Sequence, residues 1–234
     1  MKKQDDNFDK YADNYRNIHT KNIKQLSGKD SDFFTEYKIK EISHLFKNKK
    51  KIRILDVGCG DGNSAKYFLE YFKNIEYIGI DISSDSIKVA RNNNNNTKFH
   101  FEVYDGKNIP FEQKSFDLVF IACVMHHVSP KNHISLLKEC KRVLKNDGTL
   151  IIFEHNPYNP LTLKAVNNCP FDKDAILMSS RYLRKILKYC GYSNNNLRYT
   201  FFIPRYGFLE KITFIEKYLF WLPIGGQYYV YANK

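Results

Sequence analysis

Leu55-Asp56-Val57-Gly58-Cys59-Gly60-Asp61-Gly62-Asn63-Ser64 joins two different periodicities. Before it, KIRILDV (51–57) is a short apolar run rich in branched side chains, which predicts a strand; after it, residues 65–72 carry apolar side chains at helical spacing. The glycines between them predict a tight strand-to-helix turn. Glycine adopts left-handed backbone at no steric cost and lets ligand atoms approach the main chain, and ligands of open α/β sheets bind at the carboxyl ends of strands. A ligand-free turn also uses such glycines, so the flanking sequence has to separate the two readings.

Outward from this turn the same alternation recurs. IEYIGID (75–81), KFHFEVY (98–104), FDLVFIACV (116–124) and TLIIFEH (149–155) read as strands, FDLVFIACV as a fully buried one. Between them lie a helix over 83–91, capped by Ser83 or Ser84, and one over 131–145 closed by Asn146-Asp147-Gly148. Parallel neighbours need crossovers, so the class is α/β with a doubly wound sheet. Residues 8–24 and 31–47 predict two helices ahead of the sheet, separated at Ser27-Gly28. Beyond Pro160 come a short helical stretch, a helix from Ser179 or Ser180 to Tyr189, the strand LRYTFFI (197–203), an amphipathic segment 208–222 and the strand QYYVYAN (227–233).

Acids stand at further strand ends. Asp81 closes the second strand, 21 positions beyond Gly60, where a carboxylate can accept both hydroxyls of a ribose; Asp105-Gly106 closes the third, where one could accept from an adenine amine. Either alone could cap a turn. Together with the glycine turn they define a nucleoside site across three successive strand ends. GxGxG with Asn63 in place of a third glycine departs from the nicotinamide fingerprint, and the chain has no second large substrate domain.

ILDVGCGDGNS, GIDIS, YDGKNIPFEQKSFDLVF and RVLKNDGTLIIFEH follow in this order over residues 51–156. They resemble the class I S-adenosylmethionine-dependent methyltransferases of the small-molecule branch, type 11/12-like, and FDKYADNY resembles the opening helix of that branch, which closes over the cofactor. The resemblance implies a Rossmann-like, seven-stranded, mostly parallel sheet. It implies an N-terminal helical cap over residues 1–50 and a cofactor-binding core over 51–234, with a helical insertion between the last two strands. S-adenosylmethionine is the implied cofactor. Asp56, Gly58, Cys59 and Gly60 would frame its methionine end, Asp81 its ribose and Ile82 its adenine, with Asp105 and Gly106 facing the adenine amine. Ala122 and Cys123 would line it through backbone, and Tyr11 or Tyr15 would contact its carboxylate.

A sulfonium activates its own methyl for displacement, so the protein mainly supplies proximity and alignment, plus a base where the acceptor is a hydroxyl. His126 and His127 follow the fourth strand and His155 ends the fifth; these are the candidate bases, with Glu154 and Tyr158 as secondary candidates. The alternative for each is a structural role in its loop.

Composition narrows the partners. With 43% hydrophobic and 15% aromatic residues the chain can bury a core. Its five cysteines form no CxxC pair, so neither a zinc ribbon nor a disulfide scaffold is indicated and no metal set is assigned; the expected compartment is the cytoplasm. The formal charge of +12 divides as +3 over residues 1–117 and +9 over 118–234, and comes from 29 Lys against 8 Arg. The expected partner is a small-molecule acceptor bearing phosphate. Residues 154–172 and QYYVYANK are similar to a subset of the family associated with surface-polysaccharide or glycolipid assembly, which makes a lipid-linked or nucleotide-linked sugar a candidate. Phe208, Ile212, Ile215, Leu219 and Leu222 form one helical stripe, expected to pack on the sheet or to rest on a membrane surface, so the enzyme is expected to be cytoplasmic or peripheral at the membrane. A nucleic-acid methyltransferase is the alternative, disfavoured because VMHHV stands where an N/DPPY-like motif would follow strand four. A non-catalytic cofactor-binding subunit is the second alternative.

Overall fold

The structure, a computed structural model, describes residues 20, 23, 24 and 26–234; most of the helix expected over 8–24, with Tyr11 and Tyr15, lies outside the described residues. Seven strands run in chain order as β1 (Ile52–Val57), β2 (Ile75–Asp81), β3 (Phe99–Val103), β4 (Phe116–Ala122), β5 (Leu144–His155), β6 (Ser193–Thr200) and β7 (Gln227–Asn233). They form one sheet in the order β3-β2-β1-β4-β5-β7-β6. β1 pairs in parallel with both β2 and β4, and β7 alone runs against the rest, inserted between β5 and β6. This is the doubly wound, mostly parallel α/β sheet expected from the sequence.

The central strands are apolar on both faces because both faces are covered, whereas the edge strands β3 and β6 are partly exposed. Leu118, Phe120, Ile151, Phe153 and Tyr229 point to a side packed by α1 (Ser31–Ser43), α2 (Ser64–Tyr71) and α3 (Ser84–Asn93). Their alternate neighbours Val119, Ile121, Leu150, Ile152 and Tyr228 face α4 (His133–Val143) and, beyond the short α5 (Pro160–Asn167), α6 (Ser180–Tyr189). Of the paired serines, Ser83 caps α3 by accepting from Ser86 N at 3.1 Å and Ser179 caps α6 by accepting from Tyr182 N at 3.2 Å.

Three local expectations give way to tertiary contacts. α4 stops at Val143, before the anticipated Asn146-Asp147-Gly148, because Leu144 is fully buried and pairs with Phe116 as the first residue of β5. Residues 145–148 then form an irregularity in the β4–β5 register, with Lys145 Nζ donating to the buried Asp117 at 2.8 Å. β4 ends at Ala122, two residues early, because Cys123 turns to a left-handed φ of +58°.

The third is the stripe over 208–222. It breaks into α7 (Gly207–Lys211), a 3-10 turn (Thr213–Ile215) and α8 (Glu216–Leu219), and Phe208, Phe214 and Trp221 stay exposed. The buried residue of this stretch is Glu216, not an apolar one. Its Oε1 accepts from Phe202 N at 3.0 Å and Ile203 N at 2.7 Å, and its Oε2 from Arg205 Nη2 at 2.7 Å. A buried carboxylate with three donors demands that geometry, and a straight helix would not supply it. Glu216→Ala is expected to cost about 3–5 kcal/mol, because Arg205 and two amides lose their acceptor together. Urea unfolding measures this, and a loss under about 1 kcal/mol would show that water replaces the carboxylate.

Candidate functional site

The carboxyl ends of β1, β2, β4 and β5 open on one cleft of about 480 Å³. Its wall includes Asp56, Gly58, Cys59, Gly60, Asp81, Ile82, Asp105, Gly106, Ala122, Cys123, His126, His127 and His155. Every candidate named from the sequence within the described residues is on that wall except Glu154, buried beneath it, and Tyr158, which is exposed elsewhere. Asp172 also reaches the wall, from a 3-10 turn (Pro170–Asp172) after α5.

The turn after β1 is tied to β2. Gly58 N and Cys59 N both donate to Ile80 O, at 2.7 and 3.1 Å, and Gly60 N donates to Asp81 Oδ2 at 2.9 Å. Gly58 and Gly60 are left-handed, with φ of +77° and +54°, for different reasons. A Cβ on Gly58 would stand 2.5 Å from Val124 Cγ2, whereas one on Gly60 would meet nothing within 4 Å and would project into the cleft. Asp81 Oδ1 accepts from Ser83 N at 2.9 Å, so each oxygen of that carboxylate is held by one amide. Asp105 is exposed at the rim; its Oδ1 accepts from Lys107 N and Asn108 N and its Oδ2 from Asn108 Nδ2, which hold its carboxyl below the usual carboxylate range. Asp56 lies deeper. Burial pushes its carboxyl up to about 7, against Tyr77 OH, which donates to Oδ2 at 2.6 Å, and Ser64.

At the other side of the cleft stands a cluster of histidines and carboxylates. Glu154 is fully buried; its Oε1 accepts from Met125 N at 2.8 Å and its Oε2 faces His126 Nδ1 at 2.6 Å. His126 Nε2 and His127 Nε2 lie 3.6 and 3.3 Å from Asp172 Oδ1. Burial opposes the charge on His126, yet Glu154 and Asp172 together push it up to about 10. Burial also opposes ionisation of Glu154 and Asp172, and the imidazoles keep both below the ordinary carboxylate range. His127 is pulled down, by burial first, against Asp172. Nearby, Lys38 Nζ and Gln227 Nε2 lie 3.6 and 3.7 Å from Cys123 Sγ; burial would raise that thiol, but Lys38 and His155 bring it down to about 7.

Lys38, Asp172 and Gln227 are the wall residues that periodicity does not reveal. Lys38 sits on the buried face of an otherwise ordinary helix, and a lysine at a core position was the available signal.

Comparison with known proteins agrees with this geometry. Residues 55–152 match the family described as "Methyltransferase domain". An uncharacterized protein of Methanocaldococcus jannaschii is 30% identical over 205 residues, covering 83% of this chain and 85% of its own. The fatty-acid O-methyltransferase of Mycolicibacterium smegmatis is 33% identical over 105 residues, 45% of this chain and 38% of that enzyme. The chain spans between 38% and 51% of the length of the named methyltransferases first among its relatives. A crystal structure of an S-adenosylmethionine-dependent methyltransferase from Thermotoga maritima superposes with a TM-score of 0.69 at 17% identity, covering 99% of both chains, which establishes the shared fold. The chain belongs to the S-adenosylmethionine-dependent methyltransferases of the small-molecule class I type.

Two predictions follow from the turn and from Asp56. Gly60→Ala is expected to cost about 1–2 kcal/mol of stability, the left-handed penalty alone, while weakening S-adenosylhomocysteine binding at least tenfold. Gly58→Ala should cost more because it also drives into Val124. Calorimetric titration and thermal unfolding separate the two, and equal stabilities would contradict the packing difference. Asp56 binds its proton more tightly folded than unfolded, so its contribution to stability is present below about pH 4 and is lost as pH rises through about 7. Denaturant midpoints taken across that window should fall for the native chain and fall less for Asp56→Asn; parallel profiles would assign the pH dependence to other groups.

Proposed function

We propose that the chain transfers the methyl of S-adenosylmethionine to an oxygen of an apolar small molecule, a carboxylic acid or phenol carrying a hydrocarbon body. The observation that carries this reading is the composition of the cleft, whose wall includes Leu26, Phe34, Leu161, Ala165, Phe201 and Phe202 beside the His126–His127 turn. The fatty-acid O-methyltransferase among the relatives is named for such an acceptor.

The residues present suit the cofactor. Asp81 ends β2 on the cleft wall, and the amides of Gly60 and Ser83 fix the orientation of its carboxylate there, a group that can accept from ribose hydroxyls. Gly60 leaves room where any side chain would fill the cleft, and Ile82 on the same wall, packed close to Gly106, offers an apolar contact for a purine. Asp105 keeps fewer free acceptor positions after its own turn, enough for one amine hydrogen. Five aspartates line the wall with Lys38, Lys107, Arg205 and His126, so no cationic surplus opposes a positively charged ligand. When bound, the cofactor supplies a methyl on a positively charged sulfur, with thioether as the leaving group.

The chain's own part is to hold the acceptor oxygen in line and keep water away. An acid or phenol loses its proton readily, so the demand on a base is small, and the His126–His127 turn serves to orient the oxyanion. A phosphate-bearing sugar is less well served, since two of the three wall lysines and arginines are engaged, Lys38 by Cys123 and Arg205 by Glu216.

Labelled methyl transfer to straight-chain acids of increasing length tests the proposal. Each added methylene that is buried should raise kcat/KM about fourfold, from about 0.8 kcal/mol of transfer free energy, until the cleft is filled. Leu161→Glu should flatten this series while leaving S-adenosylhomocysteine affinity unchanged. Best turnover on a short hydrophilic acceptor would overturn the apolar assignment.

A further inference from the structure

We infer that His126, His127 and Asp172 form a binding site for one divalent transition-metal ion of the zinc and cobalt class, open on the acceptor side of the cleft. One Nε2 from each histidine and a carboxylate oxygen of Asp172 all lie within 4.8 Å of one another. Atoms bound to a single ion at about 2.0–2.2 Å in tetrahedral array stand about 3.3–3.6 Å apart. The two histidine-to-Asp172 separations are 3.3 and 3.6 Å.

The shell behind these atoms has the form that metal-binding histidines require. Glu154 faces His126 Nδ1 and so turns Nε2 toward Asp172, where a metal ion would take the place of the Nε2 proton, and it fixes the same turn again by accepting from Met125 N. The loop that carries Asp172 is fastened to that turn, since Ile176 N donates to His126 O at 2.8 Å. The donor positions are therefore held from two sides by groups that are not themselves ligands.

Charge supports the same reading. Two carboxylates and two imidazoles share a volume in which His126 is 1% and Glu154 0% exposed. A dication beside neutral imidazoles balances both carboxylates there. Two nitrogens with one oxygen suit borderline ions and not calcium or magnesium, which take oxygen ligands. All three ligands also line the cleft, so three protein ligands leave a further coordination position facing it. The site rests on side-chain geometry alone, and only its use, as a Lewis acid holding the acceptor oxygen, rests on the proposed methyl transfer.

The test uses the full chain, free of any histidine tag and stripped with a chelator, titrated with Co2+. Bound metal is measured by equilibrium dialysis, and the visible d–d absorption reports coordination. One Co2+ per chain is expected, displaced by Zn2+, with binding lost in Asp172→Asn and in His127→Ala and weakened about 10–100-fold in Glu154→Gln. Circular dichroism and S-adenosylhomocysteine titration establish that each variant is folded. A folded chain that binds S-adenosylhomocysteine but takes up neither Co2+ nor Zn2+ would overturn the site, as would a Co2+ spectrum unchanged by both ligand substitutions; the cluster would then share protons only. Metal uptake without S-adenosylhomocysteine binding would uphold the site and remove the methyl-transfer reading instead.

Discussion

β1 is paired in parallel on both edges, with β2 on one side and β4 on the other, and this constraint arranges everything else at the site. The chain leaves the middle of the sheet twice, outward to β3 and then outward to β5, so consecutive connections diverge. The helix after β1 covers one face and the helix after β4 the other. No connection passes over the ends of β1 and β4, and a crevice must open there. Gly58 to Gly62 leave β1 into it, Cys123 to His127 leave β4, Asp81 ends β2 and His155 ends β5. A nucleoside side and a histidine side follow from strand order before any side chain is considered.

The two central loops also press on each other. Gly58 must lack a Cβ because Val124 from the loop after β4 occupies that space. Cys123, the residue before Val124, takes a left-handed φ of +58° without being glycine, which costs about 1–2 kcal/mol. Its amide donates to Phe153 O at 2.8 Å, and Lys38 and Gln227 close on its sulfur. Strain of this kind persists where the surroundings over-determine the backbone, and here α1, β5 and β7 all take part. The direction in which His126 and His127 leave β4 is therefore set by packing from three elements.

How much of this is legible in sequence depends on how local its cause is. Strand alternation, the glycine turn and Asp81 at the end of β2 are properties of short stretches, and they could be placed before the fold was known. The start of β5 could not, because Leu144 belongs by periodicity to α4 and is claimed by Phe116 across the sheet. The stripe over 208–222 misleads for the same reason: its periodicity is real, but Glu216 decides the local shape through partners on residues 202–205. The histidine turn was visible as a pair of candidate bases, whereas its relation to Glu154 and Asp172 was not. Those carboxylates lie 28 and 46 positions beyond His126, and only the return of the chain along β5 and the loop after α5 brings them together.

Net charge shows the same dependence on place. The chain carries +12, yet five aspartates line its cleft against Lys38, Lys107, Arg205 and His126, so the positive surplus of the molecule does not extend to the site. Several cations of the second half serve the fold away from the cleft. Arg142 donates to Ile109 O and Phe111 O while pairing with Glu139, Lys145 holds the buried Asp117, and Lys234 caps Leu144 O at 2.6 Å. Asp117 and Leu144 stand near the amino ends of β4 and β5, across the sheet from the cleft. There a long cationic side chain satisfies carbonyls and a carboxylate that the sheet leaves unpaired, which is a structural task. Cations placed at the amino ends of parallel strands say nothing about a ligand bound at their carboxyl ends. The cleft has to be read from its own wall, where aspartates, histidines and apolar side chains stand together.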